Sequence, residues 1–132
     1  MSHKAIQRLR RAAFQRQGSK CFYCLLPMWD DAAEEFCRRF RMSARHARSL
    51  QCTAEHLRAR QDGGEDTHDN IVAACAWCNK RRHQGRHDKA PDPLIYKCRV
   101  AARIARGKWH PVLGLVMANL REGVSNDPNA GN

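Results

Sequence analysis

Ile6, Leu9, Ala13 and Phe14 recur at helical spacing within an arginine-rich run, which predicts a basic amphipathic helix over residues 3–17 ended by Gly18. Residues 30–50 read as helical too. Asp30 or Asp31 is placed to cap the start, Glu34 and Glu35 sit in the first turn, and arginines crowd the far end, in agreement with the helix dipole. Ala33, Phe36, Cys37 and Phe40 form the apolar stripe, and Ser43 is placed to cap a second short helix after a break near Met42. The period then shortens. Gln51 to Leu57 reads as a strand, Asp62-Gly63-Gly64-Glu65 as a turn, and Ile71-Val72-Ala73-Ala74 as a second strand. Asn79 to Gly85 reads as a polar, basic helix. Asp92 as N-cap and Pro93 at the first position start another, expected to turn Leu94, Ile95, Cys98, Ala101, Ala102 and Ile104 inward and to end at Gly107. Val112 to Leu120 is expected to pack back on the core, and residues 121–132, rich in Gly, Asn, Asp, Ser and Pro, to be a disordered tail.

The 132 residues suit one domain with a modest core, here residues 1–120. A formal net charge of +11 suits an acidic partner, or a basic protein that is ribosome-adjacent or simply soluble. Nucleic acid fits better than a membrane, because no apolar run is long enough to span one and the basic residues are spread through the chain. The start, MSHKAIQRLRR, lacks an apolar h-region, so no signal peptide is expected. Seven cysteines without a secretory signal favour metal binding over a disulfide framework, and a cytoplasmic location.

Four of the seven fall into two Cys-x-x-Cys pairs, Cys21/Cys24 and Cys75/Cys78. Two intervening residues let both sulfurs of a pair turn toward one ion, and two pairs complete the tetrahedron of a structural zinc site. The competing readings are coincidental buried pairs or a redox pair, although the strand and helix pattern of a thioredoxin-like chain is missing. The long connection, residues 25–74, requires a folded insert between the knuckles. Cys37, Cys52 and Cys98 stand alone and read as small buried hydrophobes. Trp29, Trp77 and Trp109 read as packing around the core or the zinc site. His3, His46, His68, His87 and His110 read as surface residues without a role.

Between and just after the cysteine pairs lie Glu55, His56, Asn70 and Asn79, with His83 one turn beyond Asn79 on the same helix face. The runs Thr53-Ala54-Glu55-His56-Leu57, Asp62-Gly63-Gly64 and Asp69-Asn70-Ile71-Val72-Ala73-Ala74-Cys75-Ala76-Trp77-Cys78-Asn79-Lys80-Arg81-Arg82 resemble the HNH endonuclease family in its zinc-stabilised form. With the first knuckle and its leading helix, the likeness covers about residues 5–90. It implies an α+β, mostly helical fold: a ββα-metal core over about 51–86, a helical insert over about 29–50, and C-terminal helices over about 92–120.

The resemblance also implies roles. His56 matches the general base that takes a proton from water, and Asn70 the middle Asn that orients the loop and the base. Glu55 and Asn79 match the ligands of a catalytic divalent metal. His83 falls where some members, such as the colicin-type nucleases, carry a further metal-binding His. Glu55 stands where the family usually has Asp, one methylene shorter, and several members have His in place of Asn79. The chemistry asks for the same groups independently. Imidazole titrates near neutral pH, and carboxylate and amide oxygens suit Mg²⁺ or Mn²⁺. One catalytic metal is expected, with hydrolysis to 5′-phosphate and 3′-hydroxyl ends. Arg58, Arg60, Lys80, Arg81, Arg82 and Arg86 flank these residues and are the candidate phosphate contacts on DNA, expected double-stranded in preference to RNA. Two other readings stay open: a non-catalytic zinc-dependent nucleic-acid-binding module, and an accessory subunit of a phage or mobile-element assembly.

Overall fold

The computed structural model of the protein describes residues 3–85 and 88–125, with side chains up to residue 120. The fold is α+β. Helices α1 (His3–Arg16), α2 (Ala33–Phe40) and α3 (Ala44–Ala47) precede strand β1 (Cys52–His56). Strand β2 (Ile71–Cys75), α4 (Ala76–His83), α5 (Pro93–Ala105) and α6 (Leu113–Ser125) follow. No described helix is long and apolar enough to cross a membrane.

The strands pair antiparallel with Cys52 opposite Cys75, Glu55 opposite Val72 and His56 opposite Ile71. β2 is buried along its whole length, so its outer edge needs hydrogen-bond partners as well as packing. Gln17, just past α1, supplies them. Its amide donates to the Ala73 carbonyl at 2.8 Å and accepts from the Ala73 N–H at 2.9 Å, replacing a third strand with one side chain.

The expected break in the insert is present. Arg41 takes a left-handed conformation (φ 49°) after α2, and Ser43 caps α3 by accepting from the His46 N–H at 3.2 Å. The expected cap of α2 is not. Ala32 holds that position without a side-chain bond, while Asp30 is drawn to Arg10 (3.0 Å) and Arg11 (3.7 Å) of α1. The acid gains more from two facing guanidinium groups than from a helix end. It ties the insert to α1.

α4 starts three residues earlier than expected, because the Cys75 sulfur acts as N-cap and accepts from the Cys78 N–H at 3.4 Å. α5 keeps its expected cap, Asp92 accepting from the N–H groups of Leu94 and Ile95, but presents a different face. Tyr96 and Val100 are buried, while Leu94 (65% exposed), Ile95 (54%), Cys98, Ala101 and Ala102 face out. The reason is Tyr96. Its ring packs edge-on against Tyr23 and Trp109, and its hydroxyl donates to the Cys78 carbonyl at 2.8 Å. Cys52 is buried as expected and Cys37 partly so, but Cys98 is not. His110 is also corrected. It is buried, with Nε2 3.8 Å from the Cys75 sulfur and Nδ1 accepting from the Val112 N–H. α6 continues past Leu120 to Ser125, into the segment expected to be a tail, and residues 126–132 lie outside the described residues.

Candidate active site and cysteine cluster

The two knuckles come together. Cys21, Cys24, Cys75 and Cys78 are buried, and their sulfurs all lie within 4.8 Å of one another. Among the described residues this is the one set of three or more Cys, His, Asp or Glu ligand atoms so close. Cys24 and Cys75 are 3.9 Å apart, far beyond a disulfide. A zinc tetrahedron with bonds of about 2.3 Å has sulfur–sulfur edges of about 3.8 Å, so the spacing fits. Backbone N–H groups of Tyr23 and Cys75 point at the Cys21 sulfur, and the Trp109 indole N–H points at Cys78 at 3.2 Å. These are donors suited to thiolates.

The four sulfurs are not equivalent. Burial opposes a thiolate at Cys21, yet hydrogen bonds from Cys24, Cys75 and Cys78 hold it below the ordinary thiol value. Bonding to Cys21 and Cys24 pushes Cys75 and Cys78 up instead. Without a cation the cluster thus favours one thiolate among thiols, and four thiolates at this spacing would need a cation. The cluster can therefore hold zinc.

The second site forms where α4 lies along β1. One helical turn, residues i to i+4, rises about 6 Å, close to the roughly 6.7 Å between alternate residues of a strand. Asn79 and His83 therefore fall over Thr53 and Glu55. Asn79 Nδ2 donates to Thr53 Oγ1 at 3.0 Å and to the Ala54 carbonyl at 3.3 Å. Because that carbonyl can only accept, the amide orientation is settled and Oδ1 lies on the other side. His83 Nε2 is 3.0 Å from Glu55 Oε1.

Glu55 is only 2% exposed, and its two oxygens have different neighbours. Oε2 accepts from the Tyr23 hydroxyl at 3.1 Å and lies 3.3 Å from an Arg82 nitrogen, whereas Oε1 meets His83. Burial and the Glu55 charge push the Tyr23 hydroxyl well above its usual value, so it remains a donor. Together with His56, Ala59, Arg60 and Gln61, residues Ala54, Glu55, Asn79 and His83 line a cleft of about 360 Å³. A larger groove, about 790 Å³, runs between the first knuckle, α2 and α6. It is mainly apolar, whereas the smaller cleft gathers Glu55, His56, Asn79 and His83, so the chemistry points to the smaller cleft.

The cleft brings together one carboxylate oxygen, one amide and one imidazole. Cis ligands of an octahedral ion bonded at about 2.1 Å stand about 3.0 Å apart, the separation of Glu55 Oε1 and His83 Nε2.

Asn70 does not line the cleft. Its side chain closes the loop between the strands: Oδ1 accepts from the Arg58 N–H at 2.9 Å, and Nδ2 donates to the carbonyls of Arg58 (3.1 Å) and Glu65 (2.8 Å). Gly64 makes this closure possible. A β-carbon there would stand 1.7 Å from the Arg58 carbonyl oxygen, so no other residue fits. The loop delivers a residue that the sequence reading missed. Asp66 Oδ1 is 2.6 Å from His56 Nε2, and both Asp66 oxygens accept from Arg60, at 3.0 and 3.1 Å. An acid near a turn carries no helical or strand period, and only its distance from the His, ten residues along a closed loop, would have marked it.

The basic residues divide. Lys80 and Arg58 are exposed, the latter donating to the Asp62 carbonyl, and Arg60 is exposed but engaged with Asp66. Arg81 stacks over Trp77, with its guanidinium carbon 3.7 Å from the ring centroid. Arg82 is not the phosphate contact expected of it. It is 3% exposed and donates to the carbonyls of His56, Leu57 and Pro91 beside Glu55. Its place one residue before His83 on a short helix against β1 turns it inward. Arg86 lies outside the described residues.

Comparison with known proteins bears on the same segment. Residues 37–85 match the family model of the HNH endonucleases. The match takes in β1, the closed loop, β2 and α4, and with them Glu55, His56, Asn70, Asn79, His83 and the second knuckle. Cys21 and Cys24 lie before it, so the HNH segment depends on a preceding part of the chain to complete its cysteine cluster. No curated protein and no solved structure matches the chain.

Proposed function

We propose that the protein is a metal-dependent endonuclease that hydrolyses phosphodiester bonds of DNA, leaving 5′-phosphate and 3′-hydroxyl ends. The observation that carries this reading is the cleft, in which a half-committed carboxylate, an imidazole and an oriented amide converge beside a second imidazole. Mg²⁺ or Mn²⁺ held by Glu55, Asn79 and His83 would neutralise charge on the transition state and the departing 3′ oxygen. His56 takes the proton from the attacking water. Asn70 has a supporting part, holding the loop that faces the His56 ring. Arg58, Lys80 and Arg81 bind phosphates and give affinity without reading bases. A net charge of +11 on 132 residues supports a polyanionic substrate. The four cysteines hold zinc and keep the first knuckle against the HNH segment.

One observation favours a second reading. Glu55 Oε2 is committed to Tyr23 and Arg82, a fixture that a non-catalytic binding module or an accessory subunit of a larger assembly would also need for its fold. A plasmid-nicking assay separates the two. Wild-type protein with Mg²⁺ or Mn²⁺ is expected to nick, and EDTA or His56→Ala to abolish it. Equal activity of wild type and His56→Ala sinks the mechanism. Inactivity of both with DNA binding retained leaves the binding module.

A further inference from the structure

Asp66 stands outside the metal-ligand set and outside the motif residues, yet it makes the shortest polar contact in the site, 2.6 Å to His56 Nε2. Both partners are half-buried, and the carboxylate is anchored from its other side by Arg60. The backbone beside it is held as well, since Asn70 grips the carbonyl of the adjacent Glu65. Asp66 is thus a fixed group and not a wandering surface acid. Hydrogen bonds from His56 and Arg60 hold its carboxyl below the usual range, so it is an anion that only accepts.

A histidine base has two ring nitrogens, and a carboxylate facing one of them determines which carries the proton. An anionic Asp66 requires a proton on Nε2. The other nitrogen, Nδ1, makes no hydrogen bond among the described residues, and His56 lines the cleft.

We propose that Asp66 is a positioning residue, fixing the ring and tautomer of His56 so that Nδ1 is the nitrogen that accepts the proton from water. The assignment rests on the endonuclease reading for its purpose, but not for its test. The proton balance is simple: Nδ1 gains the proton that water loses, the ring becomes imidazolium, and the adjacent anion stabilises that charge. The contact also gives Arg60 a task other than phosphate binding, that of holding Asp66 in place.

The test compares wild type with Asp66→Ala and Asp66→Asn in two measurements. Nitrogen-15 NMR of the zinc-loaded protein without Mg²⁺, followed with pH until the ring is neutral, reads the His56 tautomer. Wild type is expected to show Nε2–H, and Asp66→Ala to lose that preference. Single-turnover nicking with Mg²⁺ is expected to fall about 10- to 100-fold in Asp66→Ala, as for other supporting partners of a site histidine, with DNA affinity unchanged. Asp66→Asn keeps an acceptor without the charge, and is expected to hold the tautomer better than Ala and to recover part of the rate. A wild-type ring protonated on Nδ1 overturns the proposal, and so does an unchanged tautomer in both variants. If wild type does not nick DNA, the endonuclease reading fails by itself, and the NMR result still decides whether Asp66 sets the ring.

Discussion

The Tyr23 hydroxyl donates to Glu55 Oε2 across 3.1 Å, joining the first cysteine knuckle to the buried carboxylate of the cleft. Tyr23 lies between Cys21 and Cys24, so the cluster that holds the knuckle also holds this donor. Glu55 would otherwise rest on Arg82 and His83 alone. The longer side chain of Glu spans from β1 to the knuckle on one side while giving Oε1 to His83 on the other.

Replacing Tyr23 by Phe tests this link. The variant is expected to keep its bound zinc but lose about 1.5–3 kcal/mol of stability, the usual worth of a hydrogen bond to a charged group. Urea unfolding of the zinc-loaded protein, with metal analysis alongside, reads both. Mn²⁺ titration of the same variant is expected to show weaker binding, because Glu55 loses one of its fixed partners.

Zinc removal is expected to unfold the protein. Structural zinc contributes about 10–16 kcal/mol in small zinc-finger peptides, a scale larger than the whole stability of most domains. Metal analysis is expected to find one zinc per chain, and Cys21→Ser or Cys75→Ser to lose zinc and cooperative thermal unfolding together. A folded, zinc-free wild type would refute the assignment.

The lone cysteines are expected to react very differently. Burial pushes the Cys52 thiol up to about 12, so in the folded protein it stays protonated and unreactive through the ordinary alkaline range. Its thiolate appears only as the pH rises toward that value. Cys98 is exposed. Iodoacetamide at mildly alkaline pH, followed by mass spectrometry, is expected to label Cys98 first and to reach Cys52 and the four clustered cysteines only after zinc is chelated.

Arg82 and Lys80 are expected to fail in different ways. Arg82→Ala leaves Glu55 buried without its cation and is expected to cost about 3–5 kcal/mol of stability, measured by denaturant unfolding. Lys80→Ala is expected to leave stability unchanged, weaken DNA binding uniformly across sequences and lower the salt slope of the affinity by about 1. Loss of DNA affinity without loss of stability in Arg82→Ala would contradict its buried role.

Much of this protein was legible in one dimension because the governing interactions are local or strictly spaced. The two Cys-x-x-Cys pairs, the Asp92-Pro93 helix start, the Ser43 cap and the alternation from strand to turn to strand each need only a few neighbouring residues to act. The same holds for Asn79 and His83, which share a face of α4 because of helical periodicity alone. Tertiary structure decided the rest, and where it did so the reason was competition between possible partners. α5 offers two apolar faces, and the Tyr23 ring and the Cys78 carbonyl select the one with Tyr96. Arg82 reads as one more surface cation until Glu55 and three carbonyls claim it. Asp30 leaves a helix end for two arginines of α1, and Gln17 becomes the edge partner of β2. Asp66 reaches His56 only because Asn70 and Gly64 close the loop between them. Sequence periodicity names the groups that can act. Which of them meet depends on the partners that chain closure brings within hydrogen-bond distance.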